Sequence, residues 1–394
     1  MIRPRLLVAG SFCLLVAAMI ASFAPTPLYP QYAAAWHAGP FAISVAFSGY
    51  PVGVVAVILG VGGLSDRIGR QRTMLVAAVV VMAGLLITSK VDSVALLTLA
   101  RVVQGAGTGL AGSTAAAALA DHHPRGAAAG AWLHALGSTI GMAAGPITSG
   151  WLSRHTANPL TLPYLVLAAL ALIPFVLILL AGTDPAPQPE RRLFQTVRFP
   201  VGIWRPFTVA SASLIAINGC NGLFGAFSSR IVATGLHSTS ELTTGRLMSV
   251  LILALGAGQL VSGRLDPWAG CRIGMAGIAV GMATTTAGTS HGSVVLTWTG
   301  CVVIGLGGGL AFLGSTRLIA TSAPTGRRAE TYAAWMVAGF VAMAAAALLS
   351  GSVLHGAAIS HVLAWATALT LLLALYALCV RAVSVPVAET EGAR

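Results

Sequence analysis

The sequence predicts an all-α polytopic membrane protein, with twelve transmembrane helices in two pseudo-symmetric six-helix bundles. Three observations lead there. Hydrophobic residues fill 56% of 394 positions and charged residues 8%, whereas a soluble domain carries about 25% charged residues. The apolar residues fall into runs of roughly 20, the length that crosses a bilayer as helix. The second half of the chain also repeats elements of the first at a fixed offset.

The runs cover residues 6–28, 41–61, 73–89, 94–116, 127–150, 161–181, 207–229, 245–263, 273–290, 293–315, 331–352 and 361–380. The first, within MIRPRLLVAGSFCLLVAAMIA, has the basic start and small-residue end of a secretory signal. It reads instead as the first span, because its removal would leave eleven spans and invert the charge bias of the loops. Of 22 Lys and Arg residues, Lys90, Arg154, Arg230 and Arg246 fall on one side and Arg101 lies within a span. The remaining 17 lie on the side of the termini. Basic loops mark the cytoplasmic side, so both termini are expected in the cytoplasm, at a bacterial-type inner membrane. Topology therefore accounts for the net charge of +12. No nucleic-acid partner is expected, since no soluble face gathers the arginines. The cysteines (Cys13, Cys220, Cys271, Cys301, Cys379) are scattered without CxxC spacing, so neither a metal site nor a disulfide framework follows.

Between the sixth and seventh runs stands GTDPAPQPERRLFQTVRFPVGIWRP, a polar, proline-rich linker. The expected division is a bundle at 1–181, a cytoplasmic linker at 182–205, and a second bundle with a short cytoplasmic tail at 206–394. The repeat fits that division. Residues 101–111, RVVQGAGTGLA, align without gaps to 301–311, CVVIGLGGGLA, and the same offset pairs Asp66 with Asp266, Pro124 with Pro324 and Gly126 with Gly326. Two parallel six-helix halves related by an axis along the membrane normal are a known transporter plan.

The loop after the second run reads GGLSDRIGRQRTM. Its arginines anchor topology and can meet anionic headgroups, and its glycines allow a tight turn. Asp66 can cap a helix or accept from an arginine. With Gly62, Leu64, Asp66, Arg67, Gly69 and Arg70 at their spacings, the loop resembles the signature of the major facilitator superfamily between its second and third helices. SGRLDPWAGCR (262–272) resembles a degenerate second copy, with Pro267 in place of the arginine. RVVQGAGTG in the fourth span resembles the family's arginine-bearing motif. GSTIGMAAGPITSG in the fifth resembles the glycine-proline motif of the twelve-helix drug and metabolite:proton antiporter branch. Trp132 and Ser149 stand where that motif has glycine. The resemblance implies that Gly62, Asp66, Arg67, Gly69, Arg70 and Asp266 form a latch between the halves on the cytoplasmic side.

In the fifth span Gly137, Gly141, Gly145 and Ser149 are spaced by four and share a face, which lets another helix come close. Ala254, Gly258 and Ser262 in the eighth offer a matching stripe, so the two are expected to meet across the halves. Pro146 removes a backbone hydrogen bond and can kink the helix; with Gly150 it completes the packing or gating set.

All ten acids lie in loops, tails or helix edges. A proton-coupled cation exporter is expected to bury a carboxylate at membrane depth, so neutral, zwitterionic or anionic solutes fit this chain better than cations. Arg101 is the only charge inside a span, roughly 10 Å from its outer end by helix rise, and is read as cavity-facing or coupling rather than snorkelling. His134, at membrane depth, carries the side chain that titrates nearest neutral pH and is the candidate proton relay. Asn218 and Asn221 share a face of the seventh span and, with Gln259, can supply neutral hydrogen bonds or bind helices together. Tyr29, in the broken segment FAPTPLYPQY, is preferred to Tyr32 as a substrate contact.

The expected function is export of a small solute by alternating access, as proton-coupled antiport, with the proton as coupling ion and no other cofactor. Membrane lipids and the solute are the expected partners, and the protein is expected to be monomeric. A facilitator or importer of sugars or organic anions is the alternative. A receptor or enzyme without transport is disfavoured by the repeat, and no nucleophile–base–acid set is placed together, so enzymatic activity is not expected.

Overall fold

A computed structural model describes residues 2–61, 63–182, 202–324, 327–354 and 356–381; within them the side chains of residues 2–4 and 66 are not described. Among the described residues every regular element is helical. The first span is α1 (Ile2–Phe23), continued through a 3₁₀ turn (Thr26–Leu28) into α2 (Tyr29–Ala35). The second and third are α3 (Pro40–Gly60) and α5 (Arg70–Thr88), with the short α4 (Leu64–Ile68) between them. Next come α6 (Val94–His122) and α7 (Ala127–Arg154). The sixth span is broken into α8 (Leu162–Leu170) and α9 (Leu172–Leu180). The second half contains α10 (Trp204–Gly235), α11 (Glu241–Ser262), α12 (Pro267–His291), α13 (Val294–Ser322), α14 (Arg328–Val353) and α15 (Ile359–Cys379). Twelve spans result, and the division between 290 and 293 falls at Gly292, a left-handed residue at φ 62° that closes α12.

Among the described residues, ten spans are long and apolar enough to cross a membrane by length and composition alone. The other two, α7 and α12, are 28 and 25 residues long but carry glycine, serine and threonine through their middles. They are flanked by other helices, α7 by α1 and α11 and α12 by α13 and α15, so small side chains serve them better than bulky ones. The lipid-facing belt is apolar: Val295 and Trp365 are 73% exposed and Leu349 67%, which only a hydrocarbon solvent tolerates in number.

The repeat has a structural basis. Helices α6 and α13 begin and end 200 residues apart, and each starts under a serine cap: Ser93 accepts from Leu96 N and Ser293 from Leu296 N, both at 3.4 Å. Their shared glycines sit where two neighbours press in. A Cβ on Gly105 would strike the carbonyl of Tyr50 in α3, and one on Gly107 would lie 2.9 Å from Val81 N in α5. In the second half Gly305 and Gly309 meet the carbonyls of Leu251 and Leu255 in α11, while Gly307 would come 2.7 Å from Gly274 O in α12. Each repeat block is thus a wedge held by its backbone between two neighbouring helices.

Four helices carry most of the contact between the two sets: α7 against α11, and α3 against α14. Each is the second span of one half against the fifth of the other, as a pseudo-two-fold demands. The proline-rich segment 183–201 lies outside the described residues.

Candidate functional site

Arg101 is 1% exposed and does not snorkel outward. One of its terminal nitrogens donates to the Ser22 carbonyl and to Gln104 Oε1, each at 2.7 Å. Gln104 Nε2 in turn donates to Thr88 Oγ1 at 2.9 Å, and the Ser22 and Thr108 hydroxyls share a 2.6 Å hydrogen bond. The guanidinium lies over the rings of Tyr50 and Phe47, 4.9 and 5.9 Å from their centroids, within cation–π range. Gln104 falls one helical turn after Arg101 and so shares its face. Gly49 and Gly84 let α3 and α5 close on this region, their Cβ positions 3.1 Å from Arg101 Cβ and 2.8 Å from Gln104 Cγ. Carbonyl, amide and ring, rather than a carboxylate, hold this buried cation.

Tyr29 is buried and packs edge-on against Phe47, with centroids 6.3 Å apart, which places it beside the Arg101 cluster. Tyr32 is equally buried and stacks on Trp36 at 5.1 Å, so burial does not favour Tyr29 over Tyr32. His134 Nε2 lies 3.2 Å from the carbonyl of Gly112. Gly112 follows Arg101 by eleven residues on α6, about 16 Å by helix rise, so the two sequence-selected coupling residues are not brought together. Asn221 Nδ2 donates to Asn218 Oδ1 at 3.4 Å along α10. Gln259 lies instead beside Gly309 of α13, and no hydrogen bond joins it to either asparagine among the described residues.

The glycine stripe of α7 corrects an expectation. Its partner is α1 of the same half, not α11. Cβ atoms on Gly137, Gly141 and Gly145 would come 2.8 Å from the Phe12 ring, 2.7 Å from Val16 O and 2.7 Å from Ile20 O, and Ser149 Oγ donates to Ala24 O at 2.6 Å. The α11 stripe likewise turns to α13, where Ser262 Oγ donates to Leu310 O at 3.0 Å and Gly258 would lie 3.1 Å from Gly309 Cα. Equal spacing says that a helix comes close, not which one.

Other faces of α7 and α11 make the seal between halves. Ser249 Oγ donates to Ala143 O at 2.6 Å. Gly245 lies against the backbone of Pro146 and Ile147, and Gly150 against that of Glu241 and Leu242. Gln31 Nε2 donates to Glu241 Oε1 at 2.9 Å and Arg154 to Ser240 Oγ at 3.2 Å. On the other flank Ser48 donates to Ala344 O at 3.4 Å, and Gly351 lies against Pro40 and Ser44 of α3. These contacts lie on the face opposite the one where the described chain begins and ends. The bundle is closed there.

On the terminal face, Gly62 and the Asp66 side chain lie outside the described residues. Gly69 joins α4 to α5 at φ 94°, ψ 152°, a conformation open almost only to glycine. Arg67 is exposed. Arg70 forms an ion pair with Asp121 and donates to Ala117 O at 3.4 Å, both on α6 of the same half. Asp266 caps α12, accepting from Trp268 N at 3.0 Å and Ala269 N at 3.2 Å. The cation of that second loop comes from α13, where Arg317 donates to Leu265 O at 2.8 Å and Ser262 O at 3.1 Å. Sequence reasoning missed Gln104, Ser22 and Thr88, and also Gln31, Glu241, Asp121 and Arg317. Only Gln104, one turn beyond Arg101, gave a periodic signal.

Comparison with known proteins agrees with this architecture. Residues 11–347 match the family model of the Major Facilitator Superfamily. An uncharacterized MFS-type transporter of Mycobacterium tuberculosis, in strains CDC 1551 and H37Rv, is 31% identical over 114 residues. That match covers 28% of this chain and only 16% of the relative's own length. The fold resembles the crystal structure of the nucleoside transporter NupG, with a TM-score of 0.73 at 13% identity over 95% of this chain and all of that one. It equally resembles a bacterial homolog of the human lysosomal transporter Spinster in an inward-facing, occupied conformation, with a TM-score of 0.73 at 12% identity over 94% of this chain and 95% of that one. With the family model running from the first span to the eleventh, on a bundle of two wedge-centred repeats, the chain belongs to the major facilitator superfamily of multi-pass membrane transporters.

Proposed function

We propose that this chain exports a small neutral, zwitterionic or anionic solute by alternating access, driven by proton entry. The halves 1–181 and 206–394 act as the two rocking bodies, and 182–205 joins them on the cytoplasmic side, at a bacterial inner membrane with both termini inside. In that orientation the closed face is the outer one and the structure is inward-facing. The observation that carries the reading is the seal itself. Glycine, serine and backbone carbonyls from two symmetry-related helix pairs close one face, and the buried Arg101 cluster lies beneath them in the outer third of the first half. Arg101, Tyr29, Asn218, Asn221 and Gln259 are the substrate or coupling candidates, and His134, on a separate level, is the proton-relay candidate. Gly62, Asp66, Arg67, Gly69, Arg70 and Asp266 are assigned to the closed inner face of the opposite state. Here Arg70 and Asp266 engage partners within their own halves.

The test is solute flux into proteoliposomes with and without an imposed pH gradient. Gradient-driven exchange that is lost in both Arg101→Ala and His134→Ala supports coupled export. Flux indifferent to the gradient favours the facilitator reading, and exchange unchanged in both variants removes the coupling assignment.

A further inference from the structure

The Arg101 cluster holds more donors than acceptors. Its Nε–H is buried with no partner, and so is the hydroxyl of Tyr29; the buried hydroxyls of Tyr32 and Tyr164 have no partner beyond each other. These three tyrosines come from α2 and α8, yet all lie within electrostatic reach of the guanidinium. The Tyr32 and Tyr164 hydroxyls are neighbours. Buried donors are ordinarily paired, and a guanidinium has five N–H groups and no acceptor of its own. No full negative charge faces the cation either. The Ser22 carbonyl in the last turn of α1 offers the negative end of a helix dipole, about half a charge, and among the described residues no carboxylate pairs with Arg101. The second half lacks this chemistry at the matching positions of α13. Arg101, Gln104 and Thr108 correspond to Cys301, Ile304 and Gly308, so the scaffold alone does not demand it.

We infer that the Arg101–Tyr29–Tyr32–Tyr164 cluster is a binding site for one monovalent anionic group, held by the buried Arg101 Nε–H and the buried tyrosine hydroxyls. The same chemistry has two sources: a free halide, or the carboxylate of a carried solute. The inference does not depend on export, because binding is read on purified protein without flux.

The experiment measures thermal unfolding in detergent at constant ionic strength, replacing gluconate stepwise by chloride, bromide, acetate or benzoate. The expected result is a saturable rise in the unfolding midpoint. That rise should be lost in Tyr32→Phe/Tyr164→Phe, which keeps both rings and removes only hydroxyls, and in Arg101→Gln. Saturation by halides assigns an inorganic ion, and saturation by carboxylates alone assigns a solute group. A purely linear response to every anion, or a saturable rise that persists in the double phenylalanine variant, overturns the site.

Discussion

Adding one methyl group to Gly245 should open the sealed face. A Cβ there would strike Pro146 O and stand 2.9 Å from Pro146 C and 3.2 Å from Ile147 Cα. All three are helix backbone, which cannot swing aside as a side chain can. Alanine is the better helix former by roughly 1 kcal/mol, but that gain applies in both conformations and cancels between them. The clash exists only when α11 lies on α7. Overpacking of this kind costs about 1–3 kcal/mol, which corresponds to roughly 5- to 150-fold in the balance between conformations. Gly150→Ala adds an independent contact, 2.7 Å from Glu241 O, and should act in the same direction. The assay is a distance measurement between spin labels at Ala157→Cys, exposed just past the end of α7, and Thr234→Cys, exposed in the last turn of α10, in a background freed of native cysteines. Gly245→Ala should move the distribution toward longer distances. Gly60→Ala is the control, since its Cβ would meet nothing within 4 Å. An unchanged distribution in Gly245→Ala, or an equal shift in Gly60→Ala, would refute the reasoning.

Three further outcomes are expected. Gln104→Leu removes an acceptor from Arg101 and a donor from Thr88, and should destabilise the fold by about 1.5–3 kcal/mol, as for hydrogen bonds to charged groups. A melting midpoint equal to that of the parent would mean that Gln104 does not hold the arginine. Gly69→Ala must adopt φ 94° and should cost about 1–3 kcal/mol, read as a lower midpoint; no loss would show that the turn re-forms in another conformation. Ser149→Ala loses the bond to Ala24 O and should cost about 1 kcal/mol, and a more stable variant would argue against that bond as the tie between α7 and α1.

The spans were legible because bilayer thickness writes itself into the length of apolar runs. The repeat was legible because glycine at a backbone crossing has no substitute, so Gly105 and Gly107 recur as Gly305 and Gly307. Partners were not. The stripe Gly137–Gly141–Gly145 announces close approach, but α1 and α11 satisfy it equally in one dimension. Offset also pairs positions rather than duties. Asp266 matches Asp66 in the alignment, yet Asp66 falls inside α4 whereas Asp266 stands before α12 as its cap, and Arg317, on another helix, meets the loop carbonyls. Around Arg101 the cation stood out as the one charge inside a span. Ser22, Thr88 and Tyr164 looked like ordinary span residues, and only the fold assembles them.

The seal of the distal face has a further consequence. Most of its members are glycine, serine, alanine and backbone carbonyl, groups that have little or no rotamer freedom to lose when they are buried. Separating that small-residue core therefore releases little side-chain entropy, and closing it costs little; the larger ordering cost falls on Gln31, Glu241 and Arg154 at its rim. A joint built this way can form and part many times without a large thermal penalty in either direction. Its balance is then open to whatever occupies the space between the halves.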